Sequence, residues 1–163
     1  LLELGTGSGA ISISIAQENK DCFIYATDIS IKSILVAKQN AAKFCCENII
    51  FLNHDWNSEW LFPQVDYLIS NPPYVNKEAT TGKEEGIWHE PEKALFSKDK
   101  GLSDLKLILT KGKNFLNENG KVYLEHAPDQ YEELNKFAVE KGYLNFSNLN
   151  ALNGDKRVSI YQC

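Results

Sequence analysis

No uncharged apolar run in this sequence approaches the roughly eighteen residues that a membrane-crossing helix needs. The first residues also lack the basic start and apolar stretch of a secretory leader, so neither membrane insertion nor secretion is expected, and a cytoplasmic protein is. Positive charge is in deficit. Lys plus Arg is 17 against 22 for Asp plus Glu, and the net charge of −5 offers no general attraction to a phosphate backbone, so direct nucleic-acid binding is not expected. Cysteine is sparse: Cys22, Cys45, Cys46 and Cys163 show no CxxC spacing, and no histidine stands at a metal-ligand interval from them. Free thiols and no metal site follow as the expectation. Methionine is absent, and the chain opens on Leu1 inside an apolar segment, which reads as one domain, 1–163, truncated at its N-terminus. With 43% hydrophobic and 24% charged residues, what is present is an ordinary globular domain with a buried core.

The apolar patterning alternates between two periods. Residues 1–4 form an apolar run broken by Gly5, Gly7 and Gly9, and 10–17 are apolar again, which reads as strand, tight loop, helix. Ile11, Ser12, Ile13, Ser14 and Ile15 alternate as a strand would, and their context decides for helix. Residues 22–27 are β-branched and aromatic and read as a strand ending at Asp28. Residues 30–46 carry Ile31, Ile34, Leu35, Ala41 and Ala42 at helical intervals behind Ser30, a suitable N-cap. Residues 49–52 and 65–70 read as strands, and 71–100, with Pro72, Pro73, Gly82, Gly86 and Pro91, as a long loop of the kind that serves function. An amphipathic helix over 102–116 should end at Asn119-Gly120 before a strand over 121–125. Pro128 then opens a helix to about 141, and strands near 143–149 and 156–161 flank the turn Asn153-Gly154.

This alternation predicts an α/β fold, a doubly wound, mostly parallel seven-stranded sheet that is Rossmann-like, closed by an antiparallel edge strand. In such sheets ligands bind outside the carboxyl ends of the central strands. Both sharp motifs of the sequence stand at strand ends.

The first motif is Glu3-Leu4-Gly5-Thr6-Gly7-Ser8-Gly9, where residues without a Cβ let the backbone turn tightly and approach a ligand. Asp28 follows 19 positions after Gly9, at the end of the second strand, where a carboxylate can accept hydrogen bonds from both hydroxyls of a ribose. A bare turn needs one glycine and has no use for the acid, so the pair indicates an adenosine-containing cofactor. Gly5, Gly7 and Ala10 also satisfy G-x-G-x-x-(G/A), so the loop alone leaves open a nicotinamide cofactor and S-adenosylmethionine. Loop and acid resemble motif one and the ribose-binding acid of class I S-adenosylmethionine-dependent methyltransferases, with Glu3 in the place of the acid before the glycines. Asp55 and Trp56 fall where that superfamily contacts adenine, a carboxylate through the amino group and an indole by stacking. Trp56 by itself serves equally well as a core or lid aromatic.

The second motif is Asn71-Pro72-Pro73-Tyr74 after the fourth strand, expected to face the glycine loop across the cleft. Two prolines fix φ and remove two donors, leaving carbonyls as acceptors beside the Asn71 side chain. Asn71 Oδ1 and the Pro72 carbonyl can each take one hydrogen of a planar NH2 while Tyr74 packs on its face, directing the nitrogen lone pair at a methyl group. Catalysis would then rest on proximity, orientation and electrostatics, with no obligatory general base.

The tetrad is shared by methyltransferases of adenine amino groups and of glutamine amides. LLELGTGSGAI, ATD, HDW, SNPPYV, HEP followed by ALFSKDKGL, YLEH and DKRVSIY together resemble, in order and spacing, the peptide chain release factor N(5)-glutamine methyltransferase family over essentially all of the chain. The resemblance implies methyl transfer from S-adenosylmethionine to the glutamine of the Gly-Gly-Gln tripeptide of release factors, leaving S-adenosylhomocysteine. It implies cofactor contacts at Gly5, Thr6, Gly7, Ser8, Gly9, Asp28, Asp55, Trp56 and Asn71, catalytic roles for Asn71, Pro72 and Tyr74, and substrate contacts at Asn71, Pro72, Pro73 and Tyr74. Glu90, with Pro91 in the long loop beside the site, reads as a substrate-binding wall of the acceptor pocket or, as the alternative, as plain surface loop. The resemblance also implies an upstream helical domain that helps grip the release factor. A monomer is the expectation for the chain itself. Glu3 stands where Asp is commoner, and Trp88-His89 replaces a more usual Arg-Phe before Glu90-Pro91. His54, His89 and His126 are spaced neither as a metal site nor as a triad and receive no role. Competing readings are another acceptor of the same tetrad (adenine or a ribosomal-protein glutamine), a nicotinamide-dependent oxidoreductase, and a noncatalytic cofactor-binding scaffold.

Overall fold

The computed structural model describes residues 1–76, 96–97, 99 and 101–163. Seven strands form one sheet in the order β3-β2-β1-β4-β7-β9-β8: β1 (Leu2–Leu4), β2 (Ile24–Asp28), β3 (Ile49–Asn53), β4 (Val65–Ser70), β7 (Leu116–Glu125), β8 (Asn145–Asn150) and β9 (Lys156–Gln162). The strands from β3 to β7 are parallel, and β9 runs antiparallel to both β7 and β8. The expected antiparallel pairing thus lies at this edge, with the reversed strand inserted between β7 and the outermost β8. That insertion brings the start of β9 to the carboxyl end of β7.

The helices divide between the two faces. On one, α1 (Ala10–Glu18) and α2 (Ile31–Lys43) bury Ile13, Ala16, Ile34, Ala37 and Ala41 against Ile24, Ala26 and Phe51. On the other, α3 (Ser103–Gly112) and α4 (Tyr131–Glu140) bury Leu105, Ile108, Leu109, Leu134 and Ala138 against Leu2, Leu4, Leu68, Val122 and Tyr161. Each fully buried leucine or isoleucine contributes about 1.5–3 kcal/mol by transfer from water. Within β1 the period of two sends Leu2 and Leu4 toward α3 and leaves Glu3 facing α1. Ser30 caps α2 by accepting from the Ser33 amide at 3.2 Å, as its place before the apolar pattern predicts.

The expectation for 102–120 needs correction. Helix α3 stops at Gly112, residues Lys113–Phe115 tighten into a 3₁₀ turn, and β7 begins at Leu116, whose buried side chain pairs with Val65. From Val65 to Tyr67 the partner strand advances from Leu116 to Lys121, so Asn119, at φ 64°, belongs to a bulge inside β7. Asn-Gly marks a left-handed position, and here that position lies in a strand rather than after a helix. The segment 71–100, read as loop, contains two short parallel strands, β5 (Val75–Asn76) and β6 (Phe96–Ser97), which bring its two ends side by side. Among the described residues no helix is long and apolar enough to cross a membrane, and no group of side chains could hold a metal ion.

Candidate functional site

The glycine loop leaves β1 with Gly5, Gly7 and Gly9 all at positive φ. Its shape is set from inside the protein. The buried Glu3 carboxylate accepts from Thr6 Oγ1 at 2.7 Å and from Ser12 Oγ, tying the loop to the first turn of α1. Burial pushes the Glu3 carboxyl above its ordinary range, opposed by these hydroxyls. The Thr6 amide donates to the Thr27 carbonyl at 2.8 Å, and Thr27 Oγ1 to the Glu3 carbonyl at 3.0 Å, so the neighbouring strand completes the frame. A Cβ on Gly9 would lie 3.0 Å from Ile13 Cδ1 and 3.1 Å from Ala37 Cβ, which is where α1 and α2 converge. Among the described residues a Cβ on Gly7 would meet nothing within 4 Å, so among them this glycine borders open space.

Asp28 has partners inside the chain that the sequence pattern did not indicate. Its Oδ2 accepts from the Gly7 amide at 2.9 Å, and its Oδ1 from the Ser30 amide at 2.8 Å, which fixes the loop and the entry to α2 together. A carboxylate has about four acceptor positions, so each oxygen keeps capacity for a ligand hydroxyl.

Trp56 packs beside the loop: a Cβ on Gly5 would lie 3.1 Å from its Cζ3. Two residues of α3 hold it there. Indole Nε1 donates to Asp104 Oδ1 at 3.1 Å, and Lys111 Nζ donates to the carbonyls of Trp56, Asn57 and Ser58 at 2.8–3.0 Å. The Trp60 indole adds a bond to the Trp56 carbonyl at 2.8 Å. Asp55 is turned into its own loop, where its Oδ1 accepts from the Asn57 amide and side chain at 2.8 and 2.9 Å, and these bonds hold its carboxyl below the usual range. His54 stacks edge-on to Phe62 with ring centroids 4.9 Å apart, and burial lowers its pKa. Its Nε2 is buried with no hydrogen-bond partner among the described residues.

Strand β4 lies beside β1 with Ser70 opposite Leu4, and Ser70 Oγ donates to the Leu4 carbonyl at 2.8 Å. The next residues of the two strands are Asn71 and Gly5, so the tetrad and the glycine loop leave the sheet side by side. Asn71 is exposed, Pro72 and Pro73 are buried, and Tyr74 is half-buried. Tyr74 is secured at both ends. Its carbonyl accepts from Gln130 Nε2 at 2.8 Å; its hydroxyl donates to Glu125 Oε1 at 2.9 Å and accepts from Arg157 Nη2 at 2.7 Å. Burial and the Glu125 carboxylate push the phenol up to about 12. A side chain on Gly101, at φ 87°, would collide with the Tyr74 carbonyl, so the chain entering α3 presses on the same peptide. Glu90, expected as an acceptor-side wall, lies outside the described residues, as do Trp88 and His89.

Gln130, Glu125, Arg157, Asp104 and Lys111 were not among the expected site residues. Glu125 and Arg157 stand inside YLEH and DKRVSIY, and it is the antiparallel pairing of β9 with β7, not expected from the sequence, that brings them together at the carboxyl edge of the sheet. Nothing in the local pattern marked Asp104 or Lys111, whose partners lie about fifty positions away. His126 is fully buried, with Nδ1 2.8 Å from the Ala127 carbonyl and Nε2 2.8 Å from Ser159 Oγ, a structural tie between β7 and β9.

Residues 1–134 match the protein family described as the methyltransferase small domain. The chain is 37% identical over 163 residues to a bifunctional methyltransferase of Rickettsia conorii, covering 99% of this chain and 31% of that protein. It is 31% identical over 160 residues to the release factor glutamine methyltransferase of Escherichia coli, covering 98% of this chain and 58% of that protein. The chain therefore spans less than two thirds of either relative. Among solved structures, a methyltransferase from Pyrococcus furiosus superposes with a TM-score of 0.72 at 19% identity, over 99% of this chain and 73% of that one. A ribosomal protein L11 methylase from Lactobacillus delbrueckii gives 0.70 at 18% identity, over 99% and 67%. These two likenesses are of fold.

Proposed function

The chain belongs to the methyltransferase small domain family, and from that premise we propose that it transfers a methyl group from S-adenosylmethionine to the side-chain amide nitrogen of a protein glutamine, that of the Gly-Gly-Gln tripeptide of a peptide chain release factor. The observation that supports this reading is the Ser70-to-Leu4 hydrogen bond, because it sets Asn71 next to Gly5, the neighbourhood that an amide clamp and a cofactor loop need. The similarity to a protein named release factor glutamine methyltransferase supports the choice of acceptor. The nicotinamide reading accounts for the glycines and Asp28 but leaves Asn71 to Tyr74 without use.

The residues present fit the cofactor. Gly7 borders open space, Asp28 keeps acceptor capacity for ribose hydroxyls, and Trp56 offers an indole beside Gly5. When bound, S-adenosylmethionine supplies a methyl made electrophilic by its sulfonium. The chain supplies placement. Asn71 Oδ1 and the Pro72 carbonyl accept the two amide hydrogens, and the Tyr74 ring packs on the amide face, so the nitrogen lone pair is aimed along the line of displacement. With its pKa raised to about 12, the Tyr74 phenol stays protonated near neutral pH and is not the proton acceptor. The methylated amide nitrogen is acidic, and after transfer its proton leaves to water or to a nearby acceptor. We assign the protein to the cytoplasm as a monomer that meets its protein substrate there and binds no nucleic acid directly, in keeping with its net charge of −5.

The test is methylation of an intact release factor by the full-length protein, with mass spectrometry locating the methyl on the Gly-Gly-Gln glutamine. A Gln→Ala release factor and an adenine-containing oligonucleotide should take none. Labelling of the oligonucleotide with the release factor ignored would replace the glutamine reading with the adenine one.

A further inference from the structure

The tetrad ends in a tyrosine whose hydroxyl is held from two other strands, and that arrangement exceeds what a loop needs in order to close. Strand β7 ends at Glu125, and β9, running the other way, begins at Lys156, so the carboxyl edge of the sheet presents an acid and a guanidinium together. Arg157 Nη2 donates to the Tyr74 oxygen at 2.7 Å, and Tyr74 donates to Glu125 Oε1 at 2.9 Å. The ion pair between Arg157 and Glu125 closes the triangle at 3.4 Å. The guanidinium carbon also lies 5.3 Å from the Tyr74 ring centroid, so Arg157 touches both the polar tip and the face of the ring.

These bonds anchor the far end of the ring and so fix the direction in which Tyr74 points from its backbone. Gln130 secures the carbonyl of the same residue at 2.8 Å, and the buried prolines fix the chain before it. A planar amide packed on the ring is therefore oriented by groups that do not touch it. The side chains of Arg157 and Glu125 are 33% and 32% exposed, so this is a site-edge contact and not a core strut whose loss would unfold the domain. Arg157 further lines a groove of about 550 Å³ with Ala151, Leu152, Asn153 and Asp155, which puts the guanidinium between Tyr74 and open surface.

We propose that Arg157, together with Glu125, is a positioning residue for methyl transfer, holding the Tyr74 ring in the orientation that receives the planar acceptor. The inference rests on the reading of Asn71 to Tyr74 as the acceptor clamp, and it holds whether the planar NH2 is an amide or an adenine amino group. Its role is distinct from direct binding of the acceptor in the groove, and the two separate in a double-mutant cycle with Tyr74→Phe, which keeps the ring and removes the hydroxyl.

The experiment compares full-length wild type, Arg157→Ala, Arg157→Lys, Tyr74→Phe and the double variant Tyr74→Phe/Arg157→Ala. It measures kcat and KM for methylation of a release factor, and S-adenosylmethionine affinity by calorimetry. Arg157→Ala should lower kcat/KM about tenfold, the scale of one charge-assisted hydrogen bond, with cofactor affinity changed less than about twofold. Arg157→Lys, which keeps a donor, should recover part of the loss. In the Tyr74→Phe background Arg157→Ala should cost clearly less than tenfold, since the bond to the hydroxyl is already gone and only the contact with the ring face remains. An undiminished tenfold loss in that background, or an equal loss of cofactor affinity, would overturn the positioning role. Wild-type labelling only of an adenine-containing oligonucleotide would strike the glutamine reading alone, and the same cycle read on that acceptor decides the role of Arg157.

Discussion

The Asp28 carboxylate accepts from the Gly7 amide at 2.9 Å, so the acid that closes β2 also sets the curve of the loop that closes β1. One oxygen serves the loop and the other the Ser30 amide at the start of α2. The frame is therefore made within the chain itself, and in the proposed cofactor site a ribose hydroxyl would meet a carboxylate held by two backbone amides.

Asp28→Ala should accordingly lose two things. Cofactor affinity should fall by about 1.5–3 kcal/mol for a charge-assisted contact, and stability should fall too, because the Gly7 amide is left without its partner. Asp28→Asn keeps one acceptor oxygen and should retain more stability than affinity. Calorimetry with S-adenosylmethionine and urea unfolding separate these; affinity unchanged in both variants would remove Asp28 from the ribose site.

Gly7 and Gly9 should respond differently to alanine. Both have positive φ, which costs an alanine about 1–2 kcal/mol in either place. At Gly9 the new Cβ also presses on Ile13 and Ala37 at 3.0–3.1 Å, so Gly9→Ala should be the more destabilising in thermal unfolding. At Gly7 the Cβ enters open space, and Gly7→Ala should instead weaken cofactor binding by filling it. Equal melting temperatures for the two would contradict this assignment.

Glu3 gives a pH dependence with a definite sign. Burial raises its carboxyl above the ordinary value of 4.5, so the folded state holds its proton to higher pH than the unfolded chain does. The stability from this group is present in full below that ordinary value and is lost as pH rises through the folded pKa. Glu3→Gln cannot ionise, so the difference in unfolding free energy between variant and wild type should grow in favour of the variant across that window. Urea unfolding over about pH 4 to 8 measures it, and a difference that does not change with pH would refute the shift.

The framework of the site was legible because it is local. Gly5 to Gly9 and Asp28 sit at ends of strands whose periodicity is plain, and Ser30 caps the helix that its position announces. Where the reading failed, a local signal had a tertiary owner: Asn119-Gly120 looks like a helix stop, but the pairing of Leu116 with Val65 turns it into a bulge. The supports of Trp56 and Tyr74 were illegible for the same reason. Asp104, Lys111, Glu125 and Arg157 act across about fifty to eighty positions, and each is unremarkable in its own segment. Only the strand order, with β9 reversed beside β7, brings Arg157 to the tetrad.

Asn71 is exposed at the end of β4, beside the glycine loop, which suits a side chain that takes hold of an incoming group. Its amide oxygen is proposed to accept from the acceptor nitrogen most strongly as positive charge develops there, so its contribution belongs to the transition state. Asn71→Ala should therefore lower kcat by about a hundredfold, comparable to removing one preorganised polar group, and change S-adenosylmethionine affinity far less. Asn71→Asp retains an acceptor oxygen and should fall between the two. The measurement is methyl transfer to the release factor at saturating cofactor, with calorimetry alongside. Near-normal turnover in Asn71→Ala would sink the amide clamp, because the Pro72 carbonyl alone would then be orienting the nitrogen.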